Sequence, residues 1–513
     1  MATAAETLRI RRVTRGVLAN GLGQGINACS QVVLVPIFLT YWGKQLYGEW
    51  LTLSAVVTYL AVIDFGMQTF VVNRLNQCYA NHDSREHTRV LQSALALSLL
   101  FVCSASLLAA PVLLFAPIGR WFHFAVTGRW TASAVALVLM MQVLGAIPTG
   151  LIAGVYRTVG EYPRGQMVAN GRNVAVLCLA VAAILAGGGP LAVACVQLGA
   201  LVLAGGFTWW DLARRHPEIR LGIKQRDLRL AASFLGPSSL FFLIQLSMAL
   251  TLQGSAILIG AVMGAVSLAV FVPLRTLSNL VRQLIGALFS ALWPEFTSLE
   301  ASRQYEALRE AHIFAAKVLV TVSAAAAVFL HFAGRDIVAF WTHNRIPYDS
   351  ALMDAFLGLL LSQAMWLASS LVLAASNNHR EMALVSLGAA AVGLGLGYVG
   401  LHRLGLAGLV YGVWSADFLL TGSVVAVRAC RLIGQSFARF SVEVPLRGGL
   451  VAVCLYVLVR LVAGSVAAAG PGLRVAAVGS ASAVLALLLA YGLYLSASDR
   501  SKVLNWLSVV PRA

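Results

Sequence analysis

Long apolar runs, separated by short polar stretches, fill the chain from residue 17 to residue 496. A run of about 20 apolar residues is long enough to cross a bilayer as one helix. Fourteen such runs are predicted, at 17–42, 47–72, 91–114, 131–156, 168–187, 190–210, 233–258, 262–288, 313–333, 351–375, 381–400, 405–427, 446–467 and 473–496. The pattern therefore predicts an all-α polytopic membrane protein with about fourteen transmembrane helices.

Composition excludes a water-soluble protein. Of 513 residues, 59% are hydrophobic and 11% are charged, whereas soluble domains carry about 25% charged residues. The net charge of +17 does not indicate nucleic-acid binding, because the basic residues form short clusters between apolar runs, as in cytoplasmic loops. The seven cysteines form no CxxC pair and the nine histidines show no ligand spacing, so neither metal nor cofactor is predicted.

Loop charges predict the orientation of the chain. With the N-terminus in the cytoplasm, 27 Lys and Arg fall in inside segments, which overlap the ends of some spans, and 7 fall in outside segments. The remaining 3 of the 37, Arg275, Arg282 and Arg460, lie inside predicted spans. The inside set includes the stretches 74–89, 157–172 and 211–229. Basic residues concentrate in cytoplasmic loops of membrane proteins. We therefore expect both termini to be cytoplasmic.

Polar segments divide the spans into two halves. The predicted organisation is an N-terminal lobe at 1–215 with spans 1–6, a cytoplasmic linker at 216–232, a C-terminal lobe at 233–430 with spans 7–12, and spans 13–14 with a tail at 431–513. Long polar segments follow spans 2 and 8, at matching places, which argues for an internal repeat of the kind transporters use. The segment after span 8, at 293–317, mixes charges at helical spacing and predicts a short amphipathic helix along the interface.

Span 1 carries four amides on one face. Asn20, Gln24, Asn27 and Gln31 are spaced four, three and four residues apart, so they share one side of a helix. A polar face inside the bilayer must meet protein or a water-filled cavity. Hydrogen bonds across packed helices are the alternative. Four amides in register favour a cavity-lining, substrate-binding face.

Span 8 carries a cationic strip. Arg275, Asn279 and Arg282 recur at i, i+4 and i+7, and the span contains no acidic residue. Guanidinium groups suit phosphate and carboxylate oxygens, so the strip predicts an anion-binding surface. The alternative for Arg282 is that its side chain extends to the membrane interface. Arg275 should lie deeper.

Asp64 interrupts an apolar stretch, with Gln68 four residues further on. A carboxylate within a membrane span is costly and usually has a role. Three explanations stay open for Asp64: a structural ion pair with an arginine, a proton or sodium site, or a cap on local structure. For Asp417 in span 12 and Arg460 in span 13, a structural pair is the simplest interpretation.

Nucleotide-binding motifs are missing or misplaced. No GxxxxGKS/T sequence occurs, so ATP binding through a P-loop is not expected. "GLGYVG" at 395–400 matches GxGxxG, but it lies in an apolar span without a preceding strand. Small residues at this spacing are typical of close helix packing.

The stretch "YWGKQLYGEWLTLSAVVTYLAVIDFGMQTFVVNRL" at 41–75 resembles the opening of Wzx-type polysaccharide flippases, members of the multidrug/oligosaccharidyl-lipid/polysaccharide (MOP) exporter superfamily. "LWPEFTSLEA" after span 8 resembles a cytoplasmic segment of the same family. The residues that carry the resemblance are Pro36, Ile37, Gly43, Tyr47, Gly48, Trp50, Tyr59, Leu60, Asp64, Gly66 and Arg74.

The resemblance implies two six-helix lobes in a V around a central cavity, with two extra C-terminal helices outside. It also implies that alternating access moves an undecaprenyl-pyrophosphate-linked oligosaccharide from the cytoplasmic to the periplasmic leaflet of a bacterial inner membrane. The product would be lipopolysaccharide O-antigen, capsule or exopolysaccharide. A polysaccharide polymerase and a chain-length regulator would be partners. No cofactor is implied, and coupling to protons or sodium stays open.

Three other functions compete with this one. A multidrug cation antiporter would have twelve spans and acidic cavity residues, whereas a lipid II flippase would share the fourteen spans and a cationic cavity. A membrane glycosyltransferase or polymerase would need acidic catalytic residues or large periplasmic loops, and the predicted outside loops are short. We therefore expect a transporter, not an enzyme.

Overall fold

The computed structural model of this protein describes residues 4–376, 379–496 and 499–500, and helices make up most of them. Thirteen helices in this part of the chain are long and apolar enough to cross a membrane: α1 (Leu18–Tyr41), α2 (Gly43–Ala80), α3 (Ser84–Phe115), α4 (Arg129–Thr158), α5 (Tyr162–Leu185), α6 (Pro190–Arg215), α7 (Leu235–Val262), α8 (Ala265–Ala287), α9 (Tyr305–Trp341), α10 (Ser350–Ala375), α11 (Arg380–Leu432), α12 (Phe437–Ser465) and α13 (Pro471–Tyr494). Short helices Ile118–Trp121 and Leu228–Ser233 lie in the connections. The predicted class, an all-α multi-pass membrane protein, is confirmed. The predicted cytoplasmic tail at 501–513 lies outside the described residues.

Helix α11 contains two predicted spans. It has 53 residues, about 80 Å of helix at 1.5 Å per residue, against a bilayer core of about 30 Å. Gly405, with φ 64° and ψ −149°, breaks it between the runs predicted at 381–400 and 405–427. The two arms touch backbone to backbone: a Cβ on Gly400 would lie 2.3 Å from the Gly408 carbonyl oxygen. The thirteen apolar helices of the described chain therefore contain all fourteen predicted runs, and "GLGYVG" packs helices.

By its internal contacts the chain forms two compact units, Met1–Val270 and Phe271–Ala513. Helix α7 packs within the first unit, where the rings of Phe65 and Phe242 stack at 4.7 Å between centroids. Gly48 of α2 also touches the backbone just after α7, since a Cβ there would lie 1.9 Å from the Ala265 carbonyl oxygen. The contact boundary therefore falls one span later than the predicted linker at 216–232. The assignment of spans to lobes stays a prediction.

Backbone turns recur at a fixed interval along the chain. Left-handed residues occur at positions 43, 82 and 123, and again at 264, 303 and 344, so each turn and its counterpart are 221 positions apart. The hydrogen bonds match as well. The amide of Asp83 donates to the Cys78 carbonyl at 3.0 Å, and that of Gln304 donates to the Leu299 carbonyl at 2.9 Å. Two related halves would produce this periodicity.

The predicted interfacial helix at 293–317 is wrong. The helix that contains α8 runs on from Ala265 to Ala301, and α9 begins at Tyr305 after a turn of three residues. A helix of 37 residues is about 55 Å long, which exceeds the bilayer core by about 25 Å. The polar segment therefore forms the ends of two membrane helices instead of a separate element.

Ion pairs hold the hairpin of α12 and α13 against α9 in the second unit. About a third of the way along α9, the buried Lys317 ammonium lies 2.9 Å from a carboxylate oxygen of Asp499, which follows α13. Near the C-terminal end of α9, the Arg474 Nε donates to Asp336 at 2.9 Å. Apolar residues of the three helices fill the space between the two pairs. The hairpin predicted as an appendage is therefore fixed to α9 at two places.

Glu49 anchors the connection between α3 and α4 to α2. One carboxylate oxygen accepts the backbone N–H groups of Ala125 at 2.7 Å and Val126 at 3.0 Å, together with the Gln45 side chain at 2.7 Å. The other oxygen accepts the Thr127 N–H at 2.7 Å. Glu49 is fully buried. Four donors around one carboxylate satisfy a buried charge, and they fix this loop on the helix.

Ion pairs also join the polar ends of helices in the first unit. Arg89 of α3 contacts Asp227 at 2.6 Å, and Arg215 of α6 contacts Glu161 at 2.6 Å. Hydrogen bonds from these guanidinium groups hold the pKa of Asp227 and that of Glu161 below their ordinary values. Both carboxylates are therefore charged at neutral pH.

Candidate substrate-binding sites

The cationic strip lies on α8, in the second unit. Arg275 is ten residues from the start of the helix, about 15 Å along its axis. This side chain is half-buried, and its Cζ lies 5.5 Å from the centroid of the buried Phe271 ring. Asn279 is half-buried and Arg282 is exposed. The predicted strip therefore has one end held by an aromatic ring and the other open. Arg282 lies five residues before Ala287, so extension of its side chain to the interface stays open.

An acidic residue of another helix acts on the strip. Asp417 begins a π-helical turn, Asp417–Gly422, within α11, and such turns are frequent at functional sites. Its carboxylate accepts the Trp366 Nε1–H at 3.1 Å and lies within electrostatic range of Arg282, without forming a salt bridge to it in the described structure. Arg460 makes no salt bridge within the described chain, so the suggested pair with Asp417 is wrong. The span that carries the strip lacks an acid, but the fold supplies one from α11.

The four amides of α1 have no hydrogen-bond partner in the described part of the protein. Asn20, Gln24 and Asn27 are exposed, and Gln31 is half-buried. A different side of α1 packs on α5, where the Asn170 side chain donates to the Ala19 carbonyl at 2.9 Å. Within the first unit, the amides therefore do not join helices. Their role in binding substrate stays a prediction.

A polar cavity of about 250 Å³ lies inside the first unit. Helices α1, α4, α5 and α6 line it with Asn27, Ser30, Leu34, Gln142, Arg172, Asn173, Val176, Leu177, Gln197 and Leu201. Of the predicted amides, this cavity includes Asn27. It also includes Arg172, which lies both in the predicted span 168–187 and in the inside stretch 157–172, with whose basic residues it is counted. Pro163 is the signal that separates the two, because proline favours the first turn of a helix and so places Arg172 about three turns inside α5.

Asp64 lies at a break within α2. A short 3₁₀ segment, Tyr59–Asp64, ends there, and Phe65 and Gly66 adopt left-handed conformations before the helix resumes. The Asp64 side chain is 3% exposed. One carboxylate oxygen lies 3.5 Å from the backbone nitrogen of Gln68, and the other oxygen has no hydrogen-bond partner in the described structure.

No cation pairs with Asp64 among the described residues. Apart from Gln68, the polar side chain that interacts with it is that of Gln245 on α7. Of the three explanations, a cap would rest on the 3.5 Å contact with Gln68, which is long for a hydrogen bond. An ion pair would need a cation, and none of the described residues supplies one. A buried carboxyl group with an unsatisfied oxygen is a suitable place for a proton or a small cation.

Comparison with known proteins gives likeness of fold. No family model and no curated protein matches the chain. Three similar solved structures are an inward-facing and an outward-facing multidrug resistance MATE family transporter of the MOP superfamily, and the lipid II flippase MurJ in an inward closed conformation.

The MATE structures are 16% identical to this chain. The inward-facing structure has a TM-score of 0.61, and the match covers 83% of this chain and 98% of that one. The outward-facing structure has a TM-score of 0.57, and the match covers 82% of this chain and 95% of that one. MurJ is 10% identical, with a TM-score of 0.69, and covers 93% of this chain and 98% of its own. At this identity the likeness concerns the fold alone. The protein is a multi-pass membrane protein with the fold of MOP-superfamily transporters.

Proposed function

We propose that this protein is a flippase of the Wzx type. It translocates an undecaprenyl-pyrophosphate-linked oligosaccharide from the cytoplasmic to the periplasmic leaflet of a bacterial inner membrane, by alternating access and with both termini in the cytoplasm. The product serves synthesis of a cell-surface polysaccharide. The observation that carries the proposal is the strip of Arg275, Asn279 and Arg282 on α8.

The strip suits a pyrophosphate group. A guanidinium is planar and remains charged, and it offers paired N–H donors that match phosphate oxygens. Two such groups on one face of a helix can engage the two phosphates of a linked glycan. A substrate cation, by contrast, would be repelled by two arginines.

Asp417 gives the strip a way to release its ligand. While the site is empty, the carboxylate partly offsets the charge of Arg282, and it competes for that arginine when a phosphate is bound. A carrier needs this balance, because a substrate bound too tightly when the cavity opens to one leaflet is not released when it opens to the other. The aspartate hydrogen-bonded to Trp366 is therefore part of the proposed site.

A lipid II flippase is the second candidate. It is favoured by the likeness to MurJ, which covers more of this chain than the MATE structures do and has the higher TM-score. The same anion-binding strip would serve it. The "YG.W…D.G" signature of α2 favours the polysaccharide branch.

We also propose that Asp64 is the site at which transport is coupled to protons or sodium. Its unsatisfied carboxylate oxygen and the amides of Gln68 and Gln245 offer oxygen ligands for a small cation. If this role is correct, Asp64→Asn abolishes the dependence of transport on an ion gradient while the protein still folds. Unchanged ion dependence in that variant would refute the role.

The test is a strain lacking this gene, from which polyprenyl lipids are extracted and those bearing a complete repeat unit are quantified. The proposal expects these lipids to accumulate while surface polysaccharide disappears. Complementation with Arg275→Ala or Arg282→Ala should restore little polysaccharide. The matched control is Arg129→Ala, which removes an arginine stacked on Trp130 at the start of α4, far along the sequence from the strip.

Other results would overturn the proposal. Accumulation of lipid II with unchanged glycan lipids would identify the second candidate. Unchanged lipids with increased sensitivity to cationic drugs would instead identify a multidrug antiporter.

A further inference from the structure

The cavity of the first unit lies within the membrane-crossing part of the helices. Arg172 is ten residues from the start of α5, about 15 Å along an axis of about 36 Å. Gln142 and Gln197 come from α4 and α6, and both lie well inside those helices. Polar side chains from four helices therefore meet at one place, at a depth where water is excluded unless a cavity holds it.

The charge of Arg172 is not neutralised by the protein. No carboxylate forms a salt bridge with it in the described structure. Its guanidinium Nη2 donates to the side-chain oxygen of Asn173 at 3.2 Å, and this partner is an uncharged amide. An arginine within the membrane normally pairs with an acid or lines a ligand pathway. Because no acid is present here, a negative group from outside the protein is the missing partner.

The other polar groups are those that bind sugars. Asn27, Gln142 and Gln197 each offer an amide N–H₂ donor and a carbonyl acceptor, and Asn173 offers its N–H₂ group. The Ser30 hydroxyl donates to the Ile26 carbonyl at 2.9 Å, so its oxygen can act as an acceptor. Hydroxyl groups of a sugar both donate and accept, so amides match them. The apolar lining, Leu34, Val176, Leu177 and Leu201, can cover the C–H faces of a ring. A site for a bare inorganic ion would not need this apolar surface.

The volume limits the ligand to about one sugar ring. The cavity holds about 250 Å³, which is below the roughly 300–1,000 Å³ of pockets for drug-sized molecules. The cavity therefore has room for one unit of an oligosaccharide, while the rest of the chain would lie outside it.

We infer that this cavity binds one negatively charged sugar residue of the transported glycan, with Arg172 holding its carboxylate or phosphate group and the surrounding amides holding its hydroxyls. The inference rests on the proposed function, and it adds that the glycan is acidic. It places recognition of the glycan in the first unit, separate in sequence from the strip on α8.

Direct binding to the purified full-length protein in detergent tests the inference. The shift in unfolding temperature is measured against the concentrations of glucuronate, glucose 1-phosphate, glucose and inorganic phosphate. We expect glucuronate or glucose 1-phosphate to bind at least tenfold more tightly than glucose and than inorganic phosphate. Whichever of the two binds more tightly identifies the charged group as carboxylate or phosphate. Equal binding of glucose would refute the role of charge, and equal binding of inorganic phosphate would refute the sugar site.

Variants separate the charge from the fold. Asn173→Asp has nearly the same shape and places a carboxylate beside Arg172, so it should weaken binding of the acidic sugar at least tenfold while the unfolding temperature without ligand stays near that of the wild type. Arg172→Gln should do the same, and Arg172→Lys should retain part of the affinity. Arg129→Gln is the matched control, with unchanged binding. Normal binding in Asn173→Asp and Arg172→Gln would overturn the inference.

Failure of this inference is distinguishable from failure of the proposed function. If the deletion strain accumulates glycan lipids but the purified protein binds no acidic sugar, the flippase proposal stands and the sugar site is refuted. If the protein binds the acidic sugar through Arg172 but the strain shows no accumulation, the site stands as a binding site and the flippase proposal fails.

Discussion

Glu49→Gln should destabilise the protein strongly, although the substitution changes no shape. In the wild type, one carboxylate oxygen accepts three N–H donors and the other accepts one, and all four contacts are between 2.7 and 3.0 Å. A glutamine has a single acceptor oxygen. If that oxygen faces the group of three donors, the glutamine NH₂ group faces the backbone N–H of Thr127, so two buried donors oppose each other.

The magnitude follows from the hydrogen bonds. A buried donor without a partner costs about 1–3 kcal/mol, and each of the three remaining bonds weakens by about 1 kcal/mol when its acceptor loses the charge. The loss of the negative charge also removes the cost of burying it, which reduces the sum. We expect a net loss of about 2–4 kcal/mol in the free energy of unfolding. Gln45→Ala, which removes one side-chain donor, should cost about 1 kcal/mol.

The measurement is the unfolding temperature of the purified protein in detergent, followed by tryptophan fluorescence. Limited proteolysis reports separately on the connection between α3 and α4, which Glu49 holds. Glu295→Gln, at an exposed position after α8, is the matched control and should behave like the wild type. If Glu49→Gln unfolds at the wild-type temperature and its loop resists protease equally, the carboxylate does not anchor the loop and the reasoning is refuted.

Three further substitutions test contacts within the units. Lys317→Met should cost about 3–5 kcal/mol, because it leaves Asp499 buried without its cation; adding Asp499→Leu should recover most of the loss of unfolding temperature, and simple additivity would contradict the pairing. Gly48→Val should reduce the yield of folded protein, since its side chain overlaps a carbonyl oxygen, whereas Gly199→Val, with no atom within 4 Å of its Cβ, should not; equal yields would refute the close contact. For Glu161, a lowered pKa means that its ion pair stabilises the fold above the unfolded-state value of about 4.3 and that this contribution disappears as the pH falls through the folded-state value. Wild type and Glu161→Gln should therefore differ by at most about 1 kcal/mol at pH 7 and converge once the pH is below the lowered pKa of Glu161, and a difference that persists in stronger acid would count against the pair.

Much of the fold was predictable because the length of each hydrophobic run indicates whether a helix can cross the bilayer. Each of the fourteen predicted spans corresponds to a helix or to one arm of a helix. The runs 381–400 and 405–427 are the two arms of α11, and Gly405 breaks the helix between them. The segment at 293–317 was misjudged for a physical reason. Charges at helical spacing indicate a helix, but they do not distinguish a separate interfacial helix from the solvated end of a membrane helix. Length settles this point: the helix that contains α8 and the helix α9 each have 37 residues, more than a bilayer core needs.

The sites were harder to predict, because their chemistry comes from several helices. The strip of α8 could be found, since its members share one helix and one spacing. Its acidic neighbour could not, because Asp417 is 135 positions after Arg282 and the proximity depends on how helices pack. Arg172 was missed because it lies close in sequence to a genuine loop. A single sequence places a charge on a helix well, but it does not say which helices share a cavity.

The residues that carry the resemblance to known flippases are largely structural. Gly48 lets two segments touch, Gly66 adopts a left-handed turn with the backbone of α7 against it, and Tyr47 stacks on Phe38 at 5.2 Å. Charged groups that could bind substrate, such as Arg172, lie outside that signature. The likeness to solved structures at 10–16% identity likewise concerns the fold alone. The substrate must therefore be established from the cavities themselves, and the amide-lined site of the first unit is where the acidic sugar can be tested directly.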